Sequence, residues 1–161
     1  MTKSSSESHV SDTDPFWIRF ATPSDLPAMT RLLQELFEVE TEFAINAEKQ
    51  SSGLSRLLES SVAKIWVAER HGRVVGMVTV QLLISTAEGG YSGHLEDLIV
   101  SSAYRRRGLG KSLLHAAIKW SREQGATRIQ LLADSRNVPA LIFYRKQDWK
   151  QTNMIAVRRS L

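Results

Sequence analysis

Apolar residues recur along this chain with two different periods, and each period predicts one kind of element. From Leu26 to Phe37 they return every three or four positions, which predicts an amphipathic helix after the capping residues of Thr22-Pro23-Ser24-Asp25. The stretches Ile65–Glu69 and Val74–Ile84 are rich in strand-forming residues, and His71-Gly72 between them predicts a hairpin turn.

Shorter apolar runs, most of them next to Gly, Pro or Asn, predict the other elements. In chain order they are a strand at Phe16–Ala21, a helix at Ser55–Ser60, a strand that follows a turn at Ala87–Gly93 and ends at Val100, a helix at Gly110–Arg122, a strand at Arg128–Ala133, a helix from the N-cap Asn137 to about Gln147, and a strand at Trp149–Val157. This order indicates an α/β (α+β) fold with one mixed sheet and helices on both faces.

Composition narrows the class of protein. The 161 residues, 42% of them hydrophobic, suit one compact domain, which we expect to span residues 15–161. Residues 1–14 are rich in Ser, Thr and Asp and are expected to form a flexible N-terminal tail. The chain shows neither an apolar run of membrane-spanning length nor a secretory signal pattern, so we expect a soluble, cytoplasmic protein without a membrane partner.

Several kinds of chemistry are excluded or disfavoured. The chain has no cysteine, which excludes disulfides and thiol catalysis. Its four histidines are scattered without ligand spacing, so no metal is expected. The net charge of +4 permits nucleic-acid contact, but acidic and basic residues are interleaved and no reading helix or aromatic stacking motif is evident. We therefore expect no nucleic-acid partner and favour a small anionic ligand.

The segment Arg105-Arg106-Arg107-Gly108-Leu109-Gly110-Lys111 lies between a predicted strand and a predicted helix. Glycines allow close backbone approach, and a helix N-terminus offers free N–H groups, so the segment is suited to bind phosphate; an ordinary exposed turn is the alternative. A nucleotide-triphosphate loop would require glycine where Arg105 stands, and a dinucleotide fingerprint would require it at Leu113. Both nucleotide motifs fail on spacing.

The pattern Arg-x-x-Gly-x-Gly, with the strand Leu95–Val100 before it, resembles the GCN5-related N-acetyltransferase (GNAT) family. Asn137-Val138-Pro139-Ala140-Leu141-Ile142-Phe143-Tyr144 is similar to the family's second cofactor segment, and Ile18–Leu26 is similar to its first strand and helix start. Arg106 stands where many members have glycine, and Asp148-Trp149 where many have Gly-Phe. The resemblance implies a twisted sheet of about six to seven strands whose fourth and fifth strands splay apart.

The resemblance also implies acetyl-CoA as cosubstrate and an amine, on a small molecule or a protein, as acceptor. The alternative function is that of a non-catalytic acyl-CoA sensor. A homodimer is expected on the basis of the resemblance alone. The residues implied in cofactor binding are Leu98, Ile99, Val100, Arg105, Arg106, Arg107, Gly108, Leu109, Gly110, Lys111, Asn137, Ala140 and Tyr144.

Amine acetylation needs a base, because an alkyl amine with a pKa near 10.4 is almost fully protonated at neutral pH. Glu96 is the candidate base, since in a regular strand Asp97 would point to the opposite face; a structural carboxylate is the alternative, and His94 is a candidate relay. Tyr144 is the candidate acid that protonates the departing thiolate, with a core aromatic as the alternative.

The acceptor side has one candidate feature. An acidic stretch ends the first predicted helix and would favour a cationic amine, unless it is only a solvated helix face. Its members are Glu35, Glu38, Glu40 and Glu42.

Overall fold

The computed structural model describes residues 15–161, so the predicted tail at residues 1–14 lies outside the described residues. In this part of the chain it contains five strands and four α-helices. They are β1 (Trp17–Phe20), α1 (Leu26–Val39), α2 (Ala47–Glu59), β2 (Ala63–Arg70), β3 (Arg73–Ser85), β4 (Gly90–Val100), α3 (Leu109–Glu123), β5 (Arg128–Leu131) and α4 (Val138–Arg145). Short 3₁₀ turns occupy Pro23–Asp25 and Ser102–Tyr104.

The strands form one sheet in the order β1-β2-β3-β4-β5, antiparallel except for the parallel pair β4 and β5. This last pairing joins only Ser92 through Leu95 to Arg128 through Leu131. Beyond Leu95, β4 continues to Val100 without β5 beside it. The predicted splay between the fourth and fifth strands is therefore confirmed, and it opens a gap in the sheet.

Each face of the sheet is covered by helices, as predicted. On one face α3 packs its buried Leu113, Leu114 and Ala117 against alternate residues of β3 and β4. On the other face α1 and α2 pack around Met77 and Ile99.

The entry into α1 is fixed by a network of ionic hydrogen bonds. The guanidinium of Arg19 donates to both carboxylate oxygens of Asp25 at 2.7 and 2.9 Å, and to Glu69 at 2.7 Å. The Thr22 amide also donates to Asp25 at 2.7 Å. These hydrogen bonds, chiefly those from Arg19, lower the pKa of Asp25 to about 2.

Three predictions about elements were wrong. Within residues 15–161 the sheet has five strands instead of six to seven, because 149–157 forms no strand: Met154, Ile155 and Val157 are more than 80% exposed and no strand of this part of the chain pairs with them. Instead the segment extends toward the α1–α2 connection, where Arg158 pairs with Glu42 at 3.5 Å. A strand is stable only when its backbone groups find partners, and an apolar run in the sequence does not supply them.

Two helices also differ in length from the prediction. The second helix begins at Ala47 and not near Ser55, because the Asn46 side chain accepts from the Lys49 amide at 3.0 Å and caps a polar first turn. The last helix ends at Arg145, two residues before the predicted Gln147. The Trp149 amide then bonds back to the Tyr144 carbonyl at 3.1 Å, which closes the turn.

Candidate active site

A β-bulge interrupts β4 at the start of the gap. Thr79 lies opposite Glu96 and Met77 lies opposite Ile99, so β4 has one residue more than β3 over this stretch. Asp97 takes the left-handed conformation, with φ of 53°. The alternation of faces expected for a regular strand therefore fails here.

The bulge turns Glu96 and Asp97 to the same face. The Thr79 hydroxyl donates to Asp97 at 3.2 Å and the Gln81 amide donates to Glu96 at 3.4 Å, and these two donors are alternate residues of β3. The expectation that Asp97 points away from Glu96 was wrong, because it assumed an unbroken pleat. Both carboxylates lie on the α1 side of the sheet, beside the gap.

The two carboxylates have different surroundings. Burial, followed by the nearby charges of Glu96 and Glu40, raises the pKa of Asp97 to about 6. The Glu96 side chain is 47% exposed, and its carboxylate lies 3.4 Å from Nε2 of His94. A carboxylate whose pKa is raised toward neutrality is a stronger base than an ordinary aspartate while it remains ionised at pH 7.

Tyr144 lies on α4 within an aromatic cluster. Its ring centre is 5.3 Å from that of Phe143 and 5.8 Å from that of Trp149. Burial, followed by the charge of Glu40, raises the pKa of Tyr144 to about 12, so the phenol keeps its proton throughout the neutral range. Tyr144 and Asp97 thus respond to the same carboxylate, that of Glu40.

The acidic stretch at the end of α1 divides into different roles. Glu35 accepts hydrogen bonds from the Ser101 hydroxyl at 3.1 Å and the Ser102 amide at 3.4 Å, which fastens α1 to the end of β4. Glu40, just past the end of α1, is partly buried, and burial with the charges of Asp134 and Glu42 raises its pKa. Glu40 is therefore the member of the stretch that faces the site. The sequence placed it among four similar carboxylates and offered no signal to separate it from them.

The glycine-rich loop ends at the N-terminus of α3, where the sequence predicted an anion site. Gly108 is the N-cap with φ of 81°, and the first helical hydrogen bond runs from the Ser112 amide to the Gly108 carbonyl at 3.0 Å. The amides of Leu109, Gly110 and Lys111 precede that bond, so they remain available to an anion. A Cβ added at Gly108 would meet no atom within 4 Å, which leaves open space above the loop. These features fit a pyrophosphate group.

The remaining candidates lie on β4, in the glycine-rich loop and at the start of α4. Leu98, Ile99 and Val100 belong to the part of β4 that β5 does not cover. Arg105 donates from Nε to the Val100 carbonyl at 2.8 Å and so joins the loop to the end of β4. Asn137 caps α4, its side-chain oxygen accepting from the Ala140 amide at 3.2 Å, so its predicted capping role is confirmed.

Comparison with known proteins identifies the architecture. Residues 26–149 match the model of the acetyltransferase (GNAT) family. The chain belongs to this family. It is therefore an N-acetyltransferase that acts on amines, with acetyl-CoA as the acetyl donor.

Two relatives cover most of the chain. It is 29% identical to a glucosamine 6-phosphate N-acetyltransferase from Trypanosoma brucei brucei, over 80% of this chain and 85% of the relative. It is 25% identical to an aminoalkylphosphonate N-acetyltransferase from Salmonella typhimurium, over 84% and 86%. Among solved structures, an aminoglycoside N-acetyltransferase in complex with CoA has the same fold, with a TM-score of 0.79 and 16% identity over 91% of this chain and 95% of that one.

Within residues 15–161, no helix is both long enough and apolar enough to cross a membrane.

Proposed function

We propose that residues 15–161 form a single N-acetyltransferase domain that transfers the acetyl group directly to a primary amine in a ternary complex. The observation that carries this proposal is the electrostatic grouping of Tyr144 and Asp97 around Glu40, next to the gap between β4 and β5. A retained phenolic proton and a basic carboxylate are the two groups that amide formation from an amine and a thioester requires.

The donor is proposed to lie along the gap. The amides at the start of α3 would bind its pyrophosphate, and the uncovered edge of β4 would pair with its extended arm, which directs the thioester toward Tyr144. The side-chain oxygen of Asn137 accepts the capping hydrogen bond of α4, so we propose that its side-chain N–H groups donate to acetyl-CoA. The residues in this proposal are Leu98, Ile99, Val100, Arg105, Arg106, Arg107, Gly108, Leu109, Gly110, Lys111, Asn137, Ala140 and Tyr144.

In the proposed reaction the amine nitrogen forms a bond to the thioester carbon while the carbon–sulfur bond breaks. Asp97, whose pKa burial raises to about 6, takes the proton that the amine loses; Glu96, the other candidate base, lies beside it and raises that pKa further by its charge. Tyr144 is proposed to donate a hydrogen bond to the departing sulfur. Because its pKa near 12 exceeds the roughly 8.5 of a thiol, the phenol keeps its proton and stabilises the leaving thiolate, which departs as the anion or takes a proton from solvent.

The acceptor is proposed to be a cationic amine without an acidic group close to its nitrogen. Glu40 and Asp97 both have raised pKa values, and Glu40 also faces Asp134 and Glu42. A second positive charge on the acceptor would relieve this repulsion, whereas a phosphate would add to it. In this respect the proposed acceptor differs from the phosphorylated and phosphonate amines for which the two relatives are named.

The test is release of free thiol from acetyl-CoA with matched acceptors, 1,4-diaminobutane and 4-aminobutanoate, which differ in the group at the far end. We expect the diamine to have a kcat/KM at least about tenfold higher, and Glu40→Gln to reduce that preference about fivefold. Glu38→Gln is the matched control, because Glu38 lies only two residues before Glu40, in the last turn of α1, and is exposed. Donor binding without turnover on any amine would overturn the proposed function, and equal use of both acceptors would overturn the acceptor class alone.

A further inference from the structure

Four side chains form a continuous stack between the sheet and the glycine-rich loop. The guanidinium of Arg70, at the end of β2, lies 4.8 Å from the ring centre of Phe16. The Phe16 and Tyr104 rings meet edge to face, at 6.2 Å and an interplanar angle of 88°. The guanidinium of Arg107 lies 5.9 Å from the ring centre of Tyr104. The stack therefore begins at a strand end and finishes in the loop.

The inner end of the stack is firmly held. Arg70 is only 4% exposed, and both aromatic rings pack against the apolar core on the α3 side of the sheet. Tyr104 also closes the 3₁₀ turn Ser102–Tyr104, whose start Glu35 fastens to α1 through the Ser102 amide. The Tyr104 ring is thus fixed by the core before any ligand binds.

The outer end lies in a loop that needs support. Arg107 is flanked by Arg106 with φ of 61° and Gly108 with φ of 81°, both left-handed. For a residue other than glycine, this conformation costs on the order of 1 kcal/mol and persists only where surrounding contacts impose it. Contacts on both sides of Arg106 supply this support. Before it, Arg105 donates a hydrogen bond to the Val100 carbonyl, and after it, the Arg107 guanidinium stacks on the Tyr104 ring.

We infer that Tyr104 is a positioning residue for donor binding: its ring, held by Phe16 and the core, orients Arg107 and keeps the glycine-rich loop in the shape that receives the phosphate groups of acetyl-CoA. The inference rests on the proposed role of this loop in holding the donor. It assigns Tyr104 no contact with the acetyl group or the amine. Its loss should therefore weaken donor affinity and leave the chemical step intact.

The experiment measures the Kd of acetyl-CoA by calorimetry, without acceptor, so that it does not depend on the proposed acid and base. Tyr104→Leu should raise Kd about threefold to fivefold, the size expected for loss of one partly exposed cation–π contact. Tyr104→Phe keeps the ring and should stay within about twofold of the wild type. Tyr91→Leu, which removes a tyrosine at the start of β4, is the matched control and should leave Kd unchanged.

A double-mutant cycle separates positioning from general loosening of the fold. If Tyr104 acts through Arg107, adding Tyr104→Leu to Arg107→Met should raise Kd no further than Arg107→Met alone. At saturating donor and acceptor, kcat of Tyr104→Leu should remain within about twofold of the wild type. The inference would be overturned if the two substitutions raise Kd independently, so that their fold-changes multiply. It would also be overturned if Tyr104→Phe raises Kd as much as Tyr104→Leu does, or if Tyr104→Leu leaves Kd unchanged. Should Tyr104→Leu fail to fold, an unchanged Kd in Arg107→Met would overturn it as well.

Discussion

Asp97→Asn should weaken catalysis and stabilise the protein at the same time. Burial raises the pKa of this carboxyl from 3.8 to about 6, so the folded protein bears a cost whenever Asp97 is ionised. A rise of that size corresponds to about 3 kcal/mol at most, and to about 2 kcal/mol once partial solvent access is allowed for. Asparagine is nearly the same size and can still accept the Thr79 hydrogen bond, so the substitution removes chiefly the charge.

The direction of the pH effect on stability follows from the linkage between protonation of Asp97 and folding. Because the folded pKa lies above the unfolded one, the contribution of Asp97 to stability falls as pH rises from about 4 to about 6. The variant has no such group, so it should be more stable at pH 7.5, by about 4–8 °C in Tm, and nearly equal to the wild type at pH 4. Calorimetry at the two pH values measures this difference.

The pH dependence of kcat should follow the titration of the same carboxyl, that of Asp97. With a pKa near 6, Asp97 is ionised in about 90% of molecules at pH 7 and in about 10% at pH 5, so wild-type kcat should fall roughly ninefold between them. In Asp97→Asn, kcat should be about a hundredfold lower and this acid limb should disappear. Glu96→Gln is the matched control, because it removes the neighbouring charge and should only shift the limb to lower pH.

Three results would refute this reasoning. An acid limb that persists in Asp97→Asn would show that another group titrates. A limb that disappears in Glu96→Gln instead would assign the base to Glu96. If Asp97→Asn is no more stable than the wild type at pH 7.5, ionisation of Asp97 does not destabilise the folded protein.

Three further predictions concern the acid, the loop and the entry into α1. Tyr144→Phe should lower kcat about a hundredfold with donor Kd nearly unchanged, and stopped assays of thiol release together with calorimetry would measure both; unaltered kcat would remove Tyr144 from the reaction. Gly108→Asp should weaken donor binding before it affects kcat, because it places a side chain at φ of 81° and a negative charge at the phosphate loop. Asp25→Asn should lower the free energy of unfolding by about 1–2 kcal/mol at pH 7, since the Arg19 pair holds the pKa near 2, and urea titrations should show this deficit shrinking as pH falls from 4 to 2. An equal deficit at every pH would mean that packing, and not charge, is what Asp25 contributes.

Features that depend on neighbours in sequence were predictable. The turn at His71-Gly72 requires positive φ at both residues, and the structure has 50° and 71° there. Asn137 lies two residues before Pro139 and caps α4, as its spacing indicates. The left-handed Gly108 before α3 belongs to the same class, because glycine lacks a Cβ and adopts φ of 81° without the steric strain that other residues would have there.

Features that depend on neighbours in space were not predictable. The bulge at Asp97 arises because β4 must pair with β3 on both sides of one extra residue, and no local pattern marks which residue is extra. Likewise, the residues after Trp149 include an apolar run that suits a strand, yet no strand edge within residues 15–161 pairs with them. Glu40 became distinct from Glu38 and Glu42 only because its charge acts on both Tyr144 and Asp97, which lie far from it in the chain.

The sequence by itself determined the family motif, the order of elements and the loop suited to phosphate, because each depends on short-range backbone geometry and on periodic burial. The tertiary structure decided which carboxyl has its pKa raised to about 6 by burial, which glutamate of the acidic stretch is partly buried, and which ring stacks against Arg107. The physical reason is that pKa values, charge repulsion and ring stacking depend on distances between residues that lie far apart in the chain. Such distances are set only when the sheet and its helices pack.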